Sequence, residues 1–278
     1  MRSSLILMMA ALPLSAAGWD GDHRWKRDEK ETIRRTFDAA GSGARKLLVD
    51  GIDGFIHVTG TAGSQVQVTV EKHVYADSSE AMTEAKRDVK LDMSQQGNFV
   101  RLYEDGPFRH GGDTSHRYRV VFDFDVQVPY DTELALKALN NGIQVNTTTG
   151  DYDIHGLNGA IEMEDVAGSG AVGTLNGKVK VAFSQNPAKA TQFKTLNGSV
   201  DVYFRNGLNA DLKFKKLNGG IYTDFDVTTL PRTVAGNSKD GRFVYRSDRQ
   251  MAGRAGKGGP ELSFDTLNGN IRLHSGTI

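Results

Sequence analysis

The stretch TLNGKVKV (residues 174–181) is written again as TLNGSVDV at 195–202 and as TLNGNIRL at 266–273. Taking the leucine as position zero, Leu139, Leu157, Leu175, Leu196, Leu217 and Leu267 are each followed by an asparagine. These are Asn140, Asn158, Asn176, Asn197, Asn218 and Asn268. Four positions after each leucine stands Ile143, Ile161, Val179, Val200, Ile221 or Ile271, and three before it Leu136, Ile154, Val172, Phe193, Phe214 or Phe264. The leucines are separated by 18, 18, 21, 21 and 50 residues. A period of about 20 residues marks a chain built from stacked units. A weaker copy, VDGIDGFIHV (49–58), puts Ile52 at zero, Ile56 at plus four and Val58 at plus six.

Asn-Gly between alternating apolar residues is also the strongest short hairpin signal. A two-residue hairpin would set each leucine on the face opposite the other repeated apolar positions, across from Lys178, Ser199 or Asn270. That is a poor use of six leucines. A corner removes the conflict. If the asparagine is left-handed, the preceding leucine turns inward. Successive corners then stack about 4.8 Å apart, and the asparagines hydrogen-bond from coil to coil as a ladder. The sequence therefore predicts an all-β chain dominated by a parallel β-solenoid with coils of 18–21 residues. Parallel crossovers make it right-handed. Stacked in chain order, Leu217 follows Leu196 and the copy at Leu267 closes the array.

Outward from the repeat, the N-terminus MRSSLILMMAALPLSAAG has a basic Arg2, an apolar run from Leu5 to Leu14 and the small residues Ser15, Ala16 and Ala17. This is the pattern of a secretory signal peptide, residues 1–17. The run is shorter than the ~20 residues that span a bilayer. Residues 18–28 read as a flexible polar leader. Residues 29–130 read as a strand-rich cap with one helix at 78–91, where Asp77 and Glu80 form a capping box and Met82, Ala85 and Val89 share a face. Residues 131–278 hold the coils, with a basic, glycine-rich insertion at 226–260. The chain has no cysteine, so burial and backbone pairing must stabilise it. With 34 basic and 34 acidic residues, net charge gives no case for a nucleic-acid partner.

No stretch carries recognisable catalytic or cofactor chemistry. GRAGKGGP (253–260) departs from a phosphate loop, with Met251 at the first glycine position and Gly258 where a magnesium-binding hydroxyl belongs. His110, Asp113 and His116 share one glycine-rich loop, which reads as solvated rather than as a metal site. Five positions after the leucines stand Gln144, Glu162, Lys180, Asp201, Tyr222 and Arg272. Lys180 between Glu162 and Asp201 makes an alternating-sign ladder, unlike the paired carboxylates of a glycosidase. Lys194 and Lys215, two positions before their leucines, would be neighbours in adjacent coils, joined by Lys213 and Lys216. Such an uncompensated cluster is a candidate surface for an anionic partner. Arg242, Arg246 and Arg249 in the insertion make a second candidate basic surface.

An exported start, an alternating strand ending in VQVP (126–129) and the tandem LNGxI/V coils resemble the bacterial "putative adhesin" family of exported β-solenoid domains, across most of residues 45–278. The resemblance implies a cell-envelope or surface location, periplasmic or extracellular, and binding rather than turnover. No family catalytic residue exists to carry over. The expected function is therefore a non-enzymatic, adhesin-like binding or scaffolding protein for acidic glycan or anionic lipid, without a cofactor. A polysaccharide-active β-helix enzyme and a periplasmic module partnering an envelope-stress regulator are the alternatives.

Overall fold

The computed structural model describes residues 25–39, 41, 43–110, 117–205, 207–231, 236–239, 242–245 and 250–276, with backbone alone for 236–239, 242–245 and 250. The expected signal peptide, leader residues 18–24, Asp113, His116, Arg246 and Arg249 lie outside the described residues.

Ahead of the repeats come β1 (Arg27–Asp38), β2 (Lys46–Asp53), β3 (Ile56–Thr61), β4 (Gln65–Ala76), α1 (Ser79–Asp88), β5 (Lys90–Gln96), β6 (Phe99–Asp105) and β7 (Tyr118–Pro129). The repeats supply β8 (Glu133–Asn140), β9 (Ile143–Asn146), β10 (Tyr152–Asn158), β11 (Ile161–Val166), β12 (Gly170–Asn176) and β13 (Val179–Phe183). They continue with β14 (Thr191–Asn197), β15 (Val200–Phe204), β16 (Ala210–Asn218) and β17 (Ile221–Thr223). The insertion holds β18 (Val227–Thr229), β19 (Gly236–Lys239), β20 (Arg242–Tyr245) and β21 (Gln250–Ala255). The last copy is β22 (Glu261–Asn268) and β23 (Ile271–Ser275).

Two large mixed sheets result. The first is ordered β1-β4-β7-β3-β9-β11-β13-β15-β23-β17, the second β18-β21-β16-β22-β14-β12-β10-β8-β2-β6-β5. Among the described residues, strands β19 and β20 pair only with each other. Each repeat gives one strand to each sheet, so the Asn-Gly corner joins the sheets and does not make a hairpin. Like positions pair in parallel: Ile154 with Val172 and Val172 with Phe193 in the second sheet, Ile161 with Val179 and Val179 with Val200 in the first. The weak copy at 49–58 belongs to the same array, with Asp53 beside Asn140 and Ile56 beside Ile143.

The order along the array departs from chain order. Strand β22 lies between β14 and β16, and β23 between β15 and β17, all parallel. After β15 the chain skips one place, builds β16 and β17, runs through the insertion and returns to fill the gap. The copy at Leu267 is therefore internal, and the copy at Leu217 is the outer one. Phenylalanine packing follows the spatial order: Phe264 stacks on Phe193 with ring centroids 5.2 Å apart and on Phe214 at 5.3 Å.

Two expectations about the corner are corrected. None of the six ladder asparagines has a positive φ; the left-handed or tightly approached position is the glycine after them, or Asn141 (φ 77°) in the first full copy. A Cβ on Gly177 would lie 2.1 Å from the carbonyl oxygen of Gly159, and one on Gly198 2.0 Å from that of Gly177. Stacked corners touch backbone to backbone there, and only glycine fits. Because the turn comes after the asparagine, the strand keeps its alternation through the leucine. Phe193 and Thr195 point inward, so Leu196 points out. Leu139, Leu175, Leu217 and Leu267 are all exposed, and Leu157 and Leu196 are half-buried.

The threonine of TLNG fills the inward place that the leucine was expected to take. Thr174, Thr195 and Thr266 are buried. Their hydroxyls donate to the carbonyls of Gly159, Gly177 and Gly198 in the neighbouring copies, at 3.0, 2.8 and 3.2 Å. Each threonine thereby ties its own strand to the corner of the preceding copy in the array.

The helix is shorter than expected and is capped by Ser78, whose Oγ accepts from the Ala81 amide at 3.2 Å; Asp77 is not the cap. Ala81, Met82 and Ala85 are its buried face. GRAGKGGP is an ordered turn: β21 runs antiparallel to β16 and β18, and Arg254 grips the Asp211 carboxylate with two bonds of 2.6 and 3.0 Å.

Candidate ligand-binding face

The outer face of the second sheet carries the lysines singled out from the sequence. Two positions before the leucines, the spatial order is Lys137, His155, Gly173, Lys194, Asp265, Lys215. Lys194 and Lys215 are thus not adjacent. Asp265 sits between them, because the C-terminal copy occupies the intervening place. Its carboxylate pairs with Lys215 at 3.7 Å, and Glu261 pairs with Lys213 at 3.6 Å. The expected uncompensated cluster is partly neutralised. Lys194 and Lys137 make no ion pair among the described residues, and Lys216 Nζ donates to the Gly219 carbonyl at 2.5 Å. Asp50 stands beside Lys137 in the register, and Asp153 is exposed on β10, so the outer face carries acids as well as lysines.

Beside this row runs the row of outward side chains at position zero. Its spatial order is Ile52, Leu139, Leu157, Leu175, Leu196, Leu267, Leu217, by the strand order of the sheet. At roughly 4.8 Å per strand, seven aliphatic side chains form a continuous ridge. Two shallow depressions lie along it. One of about 340 Å³ is lined by Lys194, Leu196, Lys215, Lys216, Leu217 and Leu267 among others. The other, about 280 Å³, is lined by His155, Ala171, Gly173, Leu175, Lys194 and Leu196 among others. They share Lys194 and Leu196.

The asparagine ladder edges the same face. From Asp53, bonds run to Asn140 (2.7 Å), Asn158 (3.1 Å), Asn176 (2.9 Å), Asn197 (2.8 Å), Asn268 (2.8 Å) and Asn218 (2.7 Å). Each Nδ2 donates to the preceding side-chain oxygen, so the ladder has one polarity. The six corner residues named from the sequence are brought together here.

The first sheet's outer face shows the alternating charges. Glu162 lies beside Lys180, Lys180 beside Asp201, Asp201 beside Arg272, and Arg272 beside Tyr222. Burial opposes ionisation of Asp201, yet bonds from Ser199 at 2.7 Å and Arg272 at 3.0 Å hold its pKa below the usual carboxylate value. Of the second basic surface, Arg242 lies on β20 opposite Lys239 in the backbone register. No group of three metal-ligating side chains occurs among the described residues. His110 pairs with Asp105 at 2.9 Å.

One buried acid was not foreseen. Glu104, at the end of β6, is 1% exposed and points inward, where its carboxylate accepts from the Ile52 amide at 2.5 Å. Burial, with the Asp53 charge adding, pushes its pKa to about 7, against the Ile52 and Asp53 amides and Arg109. The pairing of β2 with β6 ends at Asp50 and Tyr103, so this side chain continues as a cap where the backbone ladder stops. No pattern in the sequence marks that role.

No helix among the described residues is long and apolar enough to cross a membrane. No family model matches the chain, and no curated protein does. Among solved structures it is similar to a "putative cell adhesion protein" of Clostridium sporogenes, at 12% identity and a TM-score of 0.44, covering 89% of this chain and 100% of that one. It is also similar to a "putative adhesin" of Bacteroides fragilis (11%, TM-score 0.38, 88% and 97% covered). A "putative lipid binding protein" of Parabacteroides distasonis gives 8% identity and a TM-score of 0.27, with 91% and 96% covered. These likenesses carry no argument about the ligand of this chain.

Proposed function

We propose that this chain is an exported, non-enzymatic binding protein of the cell envelope, built on a right-handed β-solenoid, which engages anionic lipid through the outer face of its second sheet. The observation that carries the reading is the exposed leucine ridge beside a row that holds Lys137, Lys194 and Lys215. A contiguous apolar strip on a charged surface marks an interaction site, and flanking lysines add attraction to an anionic surface, at about 1 kcal/mol each. An acidic glycan would use the lysines and leave the leucines idle, so lipid fits the face better. The interleaved signs of Glu162, Lys180, Asp201 and Arg272 speak against the polysaccharide-active alternative, which needs two carboxylates close together.

The test is flotation of residues 18–278 with vesicles of phosphatidylglycerol against vesicles of phosphatidylcholine, beside adsorption to an acidic glycan. Binding to the anionic vesicles alone, abolished by the triple change Lys194→Glu, Lys213→Glu, Lys215→Glu without loss of fold, is the expected result. Adsorption to glycan but not to vesicles overturns the lipid reading.

A further inference from the structure

We infer that Asn218 is a site of spontaneous self-modification: its side-chain amide becomes a carboxylate through a succinimide formed with Gly219, while the other Leu-Asn-Gly asparagines are held back. This is independent of what the leucine face binds. Asn-Gly favours the reaction because a glycine has no side chain to hinder the approach of its nitrogen to the asparagine side chain. Leu-Asn-Gly occurs five times, at Asn158, Asn176, Asn197, Asn218 and Asn268. By local sequence these should react alike.

The fold separates them. Ring closure needs the glycine nitrogen and the asparagine side-chain carbonyl free to meet. In the four inner copies both are tied to the next copy in the array. The Gly159, Gly177, Gly198 and Gly269 amides donate to the main-chain carbonyls of Asn176, Asn197, Asn268 and Asn218, at 2.9, 2.9, 2.9 and 3.1 Å. The side-chain oxygens of Asn158, Asn176, Asn197 and Asn268 accept from Nδ2 of those same residues, at 2.9, 2.8, 2.8 and 2.7 Å. The copy at Leu217 has no such neighbour. Beyond β16 lies antiparallel β21, whose pairing with it ends at Lys215 and Gln250, so no corner stacks on Asn218. Among the described residues the Gly219 amide donates to nothing, and the Asn218 side-chain oxygen accepts from nothing. Gly219 is also exposed where the other four glycines are half-buried. Its φ of 115° departs from the 154°, 159°, 159° and 158° of Gly159, Gly177, Gly198 and Gly269.

The Gly219 nitrogen, giving its proton to water, attacks Cγ of Asn218. The new N–Cγ bond closes the imide ring, the Cγ–Nδ2 bond breaks, and Nδ2 leaves as ammonia with a proton from water. A further water opens the ring at either carbonyl and leaves an aspartyl or isoaspartyl residue at 218, with no redox change. Either product has lost the donor to Asn268, and the isoaspartyl form adds a methylene to the backbone of the outer corner.

The test is to hold residues 18–278 in mildly alkaline buffer for days, digest samples under mildly acidic conditions and map each asparagine by mass spectrometry. Isoaspartate is read by enzymatic methyl transfer from S-adenosylmethionine. Asn218 should be lost about tenfold or more faster than Asn158, Asn176, Asn197 or Asn268, each of which must first break two hydrogen bonds. In urea the five rates should converge. Asn141 and Asn206 also precede glycine but stand outside the Leu-Asn-Gly set, so they do not enter the ranking. Loss at Asn218 no faster than at the other four overturns the inference. A lead that persists undiminished in urea also overturns it, because the cause would then be the local sequence and not the open end of the ladder.

Discussion

Asn268 donates its side-chain amide to the Asn197 side-chain oxygen at 2.8 Å, although 71 residues separate them in the chain. That bond places the final repeat inside the array. The same residue accepts from Asn218 at 2.7 Å. Asn218 therefore ends the ladder, and Asn268 is a middle member with a partner on each side.

Ladder position sets the cost of removing an asparagine. Asn268→Ala and Asn197→Ala each strand a donor and an acceptor, and each should cost about 1–3 kcal/mol. Asn218→Ala loses one bond at the outer end and should cost less. Urea unfolding of the three variants gives the ranking. A larger cost at Asn218 than at Asn268 would contradict the interleaved order.

Alternation through the corner predicts opposite outcomes for neighbouring apolar residues. Phe264, fully buried between Phe193 and Phe214, should cost about 3–5 kcal/mol on replacement by alanine. Leu196→Ala, on the outer face, should cost about 1 kcal/mol or less. Thermal melts distinguish them directly, and equal large losses would mean that the leucines point inward after all.

Glu104 predicts a pH dependence of definite sign. Its folded pKa, about 7, lies above the ordinary 4.5. The fold thus favours the protonated acid. This contribution is fully present below pH 4.5 and is lost as pH rises to about 7. The stability difference between the parent and Glu104→Gln should therefore shift against the parent through that window, with a slope up to about 1.4 kcal/mol per pH unit. Asp53 and Arg109 are the charged groups bearing on it in opposite senses. Denaturant titrations at several pH values measure the slope, and parallel curves for the two proteins would show that Glu104 does not titrate there.

Much of this fold was legible in the repeat. Fixed offsets of Phe193 and Val200 around Leu196 gave the inward positions, and the parallel stacking of copies followed from their period. The same parity also held the answer for the leucine. Thr195 between Phe193 and Asn197 already implied that Leu196 faces out, but a preference for buried leucine prevailed over alternation. The order of copies was written only in small departures. Lys216 stands at the inward place that Thr174, Thr195 and Thr266 fill, and Thr223 where Val181, Val202 and Leu273 are apolar, so the copy at 210–223 is the polar one, suited to an outer end; the long insertion then gives the chain the length to return. The charge on the candidate face depended on that order, since Asp265 separates Lys194 from Lys215 only when the last copy is internal. Glu104 was hidden for a different reason: its role as a cap arises where two strands of unequal length meet.

The central claim is that the leucine ridge is the surface that meets lipid. Placing a reporter on it is the most direct test: Leu196→Trp on the ridge, with Gln144→Trp on the outer face of the first sheet as its counterpart. Tryptophan emission is followed as phosphatidylglycerol vesicles are added, with the parent chain subtracted. The account predicts a blue shift for the reporter at 196 and none for the one at 144, with the shift reversed by salt. No shift at 196, or equal shifts at both positions, would contradict it.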